Sequence, residues 1–314
     1  MTFMKGIPFH KNLWHMDELL PQLMNNPQLF ITDCCEQYKN RVYQVAQSIA
    51  QNPFHKIVML AGPSGSGKTT TARFLKEALL KEGISSFVVS LDDFYLGFGK
   101  APKLKNGDYD YESVYALDVP QLQSCLLSLI QDGTCMLPQF DFYKSAPKEE
   151  KIPIHLKKGD LIIFEGIHAL NPIILDCLPA EYITKIYVSV ETTVFGCEDT
   201  IIPPREIRLA RRLVRDSIYR NADAYRTLHL WSGVIEGEEK YLEPFKDQVD
   251  YTLSTFHEFE PSVLKPFLLP LLHTVTMDYP NYELAFDLKK DYELFPELSS
   301  SLLPSDCLIH EFIQ

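Results

Sequence analysis

The chain is short of the features that would place it outside the ordinary globular class. Its 314 residues include only seven cysteines, an odd number, and no two of them have CxxC spacing. That argues against a disulfide framework and against a zinc site, and for reduced thiols in the cytoplasm. No apolar run reaches the roughly 18–20 residues a membrane helix needs. The stretch Met1 to Leu20 mixes Lys5, His10, Lys11, Asp17 and Glu18 into its apolar residues, which is not the uninterrupted core of a signal peptide. There is no internal repeat and no low-complexity tract. A charged fraction of 23% and a hydrophobic fraction of 46% rule out a disordered, collagen-like or coiled-coil chain. Positive charge is also scarce: 30 Lys and Arg face 42 Asp and Glu, a formal net charge of −12. This excludes a general affinity for nucleic acid or an anionic membrane.

The charge that is present is unevenly placed. Residues 257–314 carry ten acids and three lysines, whereas Arg205 to Arg226 holds seven of the nine arginines against three acids. An acidic chain that gathers its guanidinium groups in one window has a local use for them.

Residues 1–32 read as irregular, with Pro8, Pro21 and Pro27 breaking any long helix. Asp33 to Gln51 reads as an amphipathic helix. Asp33 and Glu36 have capping-box spacing, Cys35, Tyr38, Val42, Val45, Ala46 and Ile49 form one apolar stripe, and Asn52-Pro53 ends it. Short apolar segments then follow at Lys56 to Ala61, Ser86 to Leu91, Leu161 to Phe164, Lys185 to Val190 and Tyr251 to Thr255. Each is too short for a buried helix and rich in β-branched or aromatic residues. Helical patterns lie between several of them, over Lys68 to Glu82, Val119 to Gln131 and Glu206 to Arg220. Alternating strands and helices predict a parallel α/β sheet. Gly97 to Tyr115 and Pro138 to Pro153 read as long functional loops. Pro261 to Leu272 and Tyr282 to Phe295 read as helices of an acidic appendage. The predicted divisions are a 1–53 extension, a 54–256 catalytic domain and a 257–314 helical extension.

Gly62-Pro-Ser-Gly-Ser-Gly-Lys-Thr69 fits GxxxxGK[ST] without mismatch, between a predicted strand and a predicted helix. Glycines let backbone N–H groups curl around a polyphosphate, in a hollow that continues into a positive helix N-terminus. Lys68 can reach the β- and γ-phosphates and the Thr69 hydroxyl can ligate Mg²⁺. Leu91-Asp92-Asp93 follows the second predicted strand, where ligands of parallel sheets bind. Asp92 can accept the proton of an attacking hydroxyl, hold Mg²⁺, or do both; as a plain feature it would be a helix cap or surface turn. Leu161-Ile-Ile-Phe-Glu165 ends an apolar strand in an acid, a second position from which metal can be held directly or through water. Arg208, Arg211, Arg212 and Arg215 fall at i, i+3, i+4 and i+7, so they share a helix face able to close over phosphates. The scattered histidines, His168 and His257 among them, lack metal-ligand spacing and read as surface or core residues.

Together with Asp92-Asp-Phe-Tyr95, Pro138-Gln-Phe-Asp-Phe142, Phe164-Glu-Gly-Ile167 and Arg208-Leu-Ala-Arg-Arg-Leu-Val-Arg-Asp216, this loop resembles the uridine kinase and phosphoribulokinase family of P-loop kinases over residues 54–256. Trp231 to Tyr241, Leu264-Lys-Pro266 and Ile309-His-Glu-Phe-Ile313 resemble bacterial uridine-kinase-like members that carry extra N-terminal domains. The resemblance implies a P-loop NTPase fold of the nucleoside- and nucleotide-kinase type: a parallel sheet flanked by helices, with helical extensions at both ends. It implies ATP and Mg²⁺ as cofactors, a small-molecule acceptor with a nucleoside favoured, and it permits a homo-oligomer. Residue by residue, it implies Asp92, Lys68, Arg211 and Arg215 in catalysis. Gly62, Pro63, Ser64, Gly65, Ser66, Gly67, Lys68, Thr69 and Thr70, with Arg208 and Arg212, would hold the polyphosphate. Thr69, Asp92 and Glu165 would hold the metal. Tyr95, Phe140 and Phe142 would line the nucleoside pocket and Asp110 would bind the ribose hydroxyls. The chain departs from uridine kinases at the base-reading positions. Phe140 replaces a tyrosine, Ser145 a histidine and His229 a glutamine. The acceptor thus stays open to a nucleoside 5′-hydroxyl, a sugar phosphate or a pantothenate-like alcohol, and a catalytically silent nucleotide-binding regulator is a further alternative.

Overall fold

The computed structural model describes residues 13–52, 54–104, 107–196 and 200–313. Pro8 and Pro53, two of the predicted helix breakers, lie outside the described residues.

Five parallel strands form the central sheet: β1 (Ile57–Ala61), β2 (Ser86–Ser90), β3 (Leu161–Glu165), β4 (Ile183–Ser189) and β5 (Tyr251–Ser254), in the order β5-β4-β1-β3-β2. Each predicted strand is present within two residues of its predicted bounds. The alternation of β1 shows why both faces are covered. Val58 and Leu60 face one apolar cluster, and Ile57, Met59 and Ala61 face the other. A strand buried on both sides reads as an unbroken apolar run.

The helices are α1 (Met16–Asn25), α2 (Pro27–Ala50), α3 (Lys68–Lys81), α4 (Val119–Gln131), α5 (Pro172–Leu175), α6 (Pro204–Tyr219), α7 (Ala224–Tyr241), α8 (Glu260–Leu272) and α9 (Tyr282–Glu293). Among the described residues no helix is long and apolar enough to cross a membrane. The expectation of an irregular 1–32 is corrected by α1 and the start of α2. Pro27 begins α2 instead of ending anything, because the first helical position has no intrahelical use for its N–H. The side chain of Asn26 caps that end by accepting from Leu29 N at 3.2 Å, and Asp33 and Glu36 lie inside the helix, not at its start. Pro21 sits within α1, which is anchored by buried Met16, Leu19 and Leu23. The predicted stripe of α2, from Cys35 to Ile49, is buried as expected.

The segment after β5 is helical where predicted, but it does not hang free. Val263, Leu264, Leu268, Leu288, Ile309 and Phe312 are buried in the same cluster as α2, α3 and α6. Its last turn, Leu308–Glu311, returns to the start of α3.

Candidate active site

β1 leads directly into the glycine-rich loop and α3 leaves it. At Gly62 a Cβ would stand 2.0 Å from the Val188 carbonyl oxygen of β4, so only hydrogen fits. Gly67 caps α3 at φ +80°, in the left-handed region, and no side chain caps that end. The amino end of α3 therefore presents N–H groups and the positive pole of the helix to whatever anion lies before it. One anion already does: the Glu311 carboxylate accepts from Thr70 N at 3.0 Å. Ser66 Oγ is buried within the loop without a hydrogen-bond partner.

Strand register sets the acids. Ser90, Glu165 and Leu60 lie side by side at the carboxyl ends of β2, β3 and β1. Glu165 thus faces α3, where Thr69 Oγ1 donates to its Oε1 at 3.3 Å. Asp92 follows β2 by two residues, in a short 3₁₀ turn held by Ser90 Oγ accepting from its N–H. The Lys68 ammonium donates to the Pro63 carbonyl at 3.0 Å. Burial pushes the Glu165 carboxyl up to about 7 and raises Asp92 as well, while Lys68 pulls both back. Lys68 itself is lowered by burial and supported by Glu165, Asp92 and Glu311. The structure thus brings Lys68, Thr69, Asp92 and Glu165 together.

It divides the arginines. Arg211 is wholly buried, and its five N–H groups are all engaged: with both Glu260 oxygens, with Thr255 O and Oγ1, and with Gly65 O. Arg208 is 4% exposed and pairs with Glu238 through two bonds of 2.8 Å, with a third to Ser64 O. The guanidinium groups of Arg211, predicted for catalysis, and of Arg208, predicted for the phosphates, are thus both taken up by protein partners in this structure. Both clamp the outer side of the loop by its backbone. A wholly buried guanidinium needs a fixed carboxylate, and those carboxylates come from α7 and α8, outside any window that shows the helix face. Arg212 donates to Ser64 Oγ at 2.9 Å and pairs with Asp216. Arg215 is also paired with Asp216, and its charge is felt by Asp92 and Lys68.

On the acceptor side, Asp93 accepts from Phe140 N at 3.1 Å and ties the two predicted loops together. Phe140 lies 5.9 Å from Tyr95 and 5.1 Å from Phe142, ring centre to ring centre, so the three predicted aromatics are neighbours. Asp110 accepts from Tyr241 Oη at 2.9 Å. Beside it are two residues that sequence reasoning missed as site residues. Glu112 is pushed up to about 7, chiefly by burial. His168 is 1% exposed with neither ring nitrogen bonded to a side chain, and burial lowers it to about 4. Their only signal was position: Glu112 two residues after Asp110, His168 three after Glu165. Ser145 is exposed with φ +50°, and His229 stacks on Tyr225 on the outer face of α7. A cleft of about 510 Å³ opens beside Pro63, Arg208 and Trp231, and none of Lys68, Thr69, Asp92 or Glu165 lines it.

The donor set fits a nucleotide with its cation. Asp92, Glu165 and the Thr69 hydroxyl offer the hard oxygen ligands that Mg²⁺ takes, and the loop offers a helix N-terminus with a lysine at its start.

Residues 57–259 match the phosphoribulokinase / uridine kinase family. The uridine kinase of Schizosaccharomyces pombe is 31% identical over 209 residues, 64% of this chain and 40% of that protein. The uridine kinase of Lactobacillus helveticus is 29% identical over 196 residues, 62% of this chain and 83% of that protein. The structure of a possible uridine kinase from Bacillus stearothermophilus aligns at 19% identity with a TM-score of 0.47, covering 69% of this chain and all of that one. With the loop, both acids and the five-stranded parallel sheet in place, the chain belongs to the phosphoribulokinase / uridine kinase family of kinases.

Proposed function

We propose that the chain transfers the γ-phosphoryl group of ATP to a hydroxyl of a small molecule, with the 5′-hydroxyl of a nucleoside as first choice. The observation that carries this reading is the placement of Asp92. It stands with Lys68, Thr69 and Glu165 on one side and leads into the Tyr95–Phe140–Phe142 wall on the other. ATP and Mg²⁺, when bound, supply the transferable group and neutralise its charge.

The chain's residues do the rest. Thr69 and Glu165, with Asp92, would hold the cation. Asp92 takes the proton of the acceptor hydroxyl, which its raised affinity for protons suits. Lys68 and Arg215 offset negative charge on the transferring group; Arg211 and Arg208 keep the loop's shape. Tyr95, Phe140 and Phe142 stack the acceptor, and Asp110 receives its hydroxyls beside Tyr241. The family's known members named above are uridine kinases, which agrees with this order of preference.

A second reading keeps the reaction and changes the acceptor to a sugar phosphate or pantothenate-like alcohol. It is favoured by Ser145 and His229, which leave the wall without the expected base-reading side chains, while Asp110, Glu112 and His168 make the inner end polar. An ADP-release assay over nucleosides, sugar phosphates and pantothenate separates the two, with Asp92→Asn as control. Absence of any acceptor-dependent turnover, or full activity in the Asn variant, removes both.

A further inference from the structure

Three side chains from distant segments meet in the interior: Cys35 of α2, His257 just after β5, and Cys307 just before the final turn. They are 2%, 1% and 1% exposed. The two sulfurs are 3.0 Å apart, and a ring nitrogen of His257 and both sulfurs all lie within 4.8 Å of one another. His257 Nδ1–H donates to the Thr255 carbonyl at 2.9 Å. The lone pair is then on Nε2, which is buried and has no hydrogen-bond partner. Burial holds the imidazole neutral, the form that coordinates metals. Fixing the tautomer through a backbone carbonyl on the opposite nitrogen is how metal-ligating histidines are held.

Mere packing explains two adjacent thiols, but it leaves a buried imidazole lone pair aimed at nothing. We propose that Cys35, His257 and Cys307 form a thiolate–imidazole site for a borderline-soft metal ion, with Zn²⁺ the first to test and Cu⁺ the other ion of the same donor chemistry. Two thiolates and one imidazole match zinc and copper, and do not match the oxygen-seeking Mg²⁺. Binding breaks two S–H bonds and forms two S–metal bonds; two protons leave to solvent and no electron moves. With Zn²⁺ the two thiolates make the site electrically neutral, which a dry interior requires. The ion would join α2, the exit of β5 and the last turn. Thr255 O accepts from both His257 and Arg211, and Arg211 grips Gly65 O, so the site borders the clamp of the phosphate loop.

The test uses the full chain without a histidine tag, purified without chelator and assayed for bound metal. Metal-free protein is then loaded with Co²⁺, or anaerobically with Cu⁺. One equivalent of zinc or copper per chain is expected, with a thiolate-to-cobalt charge-transfer band in the Co²⁺ form. Cys34→Ser, at a buried thiol outside the cluster, keeps both signals; Cys307→Ser and His257→Ala lose them. Removing the ion lowers the melting temperature by roughly 5 °C or more. The proposal is overturned if the wild-type chain neither carries nor takes up the metal and shows no band. It is equally overturned if Cys307→Ser retains the metal, or if peptide mass analysis finds Cys35 and Cys307 joined as a disulfide. The wild-type measurements decide the matter even where a variant fails to fold.

Discussion

Arg211 and Lys68 are both cations set against the same loop, and each donates to one of its carbonyls, Gly65 O and Pro63 O. Arg211 is closed off. Every N–H has a protein partner, and Glu260 supplies a fixed counter-charge. Lys68 is left open, with one hydrogen bond to the loop and the charges of three acids acting on it. Burial holds the Glu165 and Asp92 carboxyls above their ordinary range and the ammonium below its own. One side of the loop has satisfied its buried charges and become structure. The other keeps them unsatisfied until an outside group completes them. Proximity of like residues to a motif is therefore a poor guide to role, and the state of their hydrogen bonds is a better one.

The contrast can be broken from either side. The largest effect is expected at the open side. Asp92→Asn should lower acceptor-dependent turnover by about 10²–10⁴-fold while leaving the melting temperature nearly unchanged. A comparable loss of stability would make Asp92 a structural residue. On the closed side, Glu260→Ala strands a buried guanidinium and should destabilise the chain by about 3–5 kcal/mol in urea unfolding. A cost near zero would show that Arg211 is not clamped as described.

Next comes pH. A carboxyl whose proton affinity is raised by folding contributes stability that is fully present below its unfolded value of 4.5 and is lost as pH rises through about 7. Nucleotide-free wild-type chain should therefore fall behind Glu165→Gln in melting temperature between about pH 5 and pH 8. Glu112 and Glu206, also raised to about 7, are common to both and cancel in the difference. Parallel curves would refute the strained carboxyl. The smallest effect belongs to Glu311. Glu311→Gln removes the carboxylate from Thr70 N–H and should tighten ADP binding by about 3–10-fold in calorimetry, because less competes for the helix terminus.

Much of this was legible. The strands, α3, α4 and α6 came from local periodicity, and the loop, Asp92 and Glu165 from short motifs whose neighbours are close in sequence. That Tyr95, Phe140 and Phe142 belong together was implied by the family resemblance alone. What stayed hidden depended on distance along the chain. Glu238 and Glu260, the partners that engage Arg208 and Arg211, lie 30 and 49 residues further on. A periodicity argument sees that arginines share a helix face; it cannot see what the face meets. Proline misled at Pro27, since the same residue that interrupts a helix also starts one. His168 passed as an ordinary histidine because no spacing marks a residue that only the fold brings beside Asp110.

The bond between Thr70 and Glu311 spans 241 residues, and the Cys35–Cys307 contact 272. Contacts of such separation form late, because the chain between them must be ordered first. During vectorial synthesis the glycine-rich loop and α3 leave the ribosome long before the turn that seals their edge. Newly made chains thus pass through a stage in which the sheet can assemble while the helix terminus still lacks Glu311. The acidic segment after β5 is, in that sense, the closing stitch of the glycine-rich loop, and its arrival times when the loop takes its finished form.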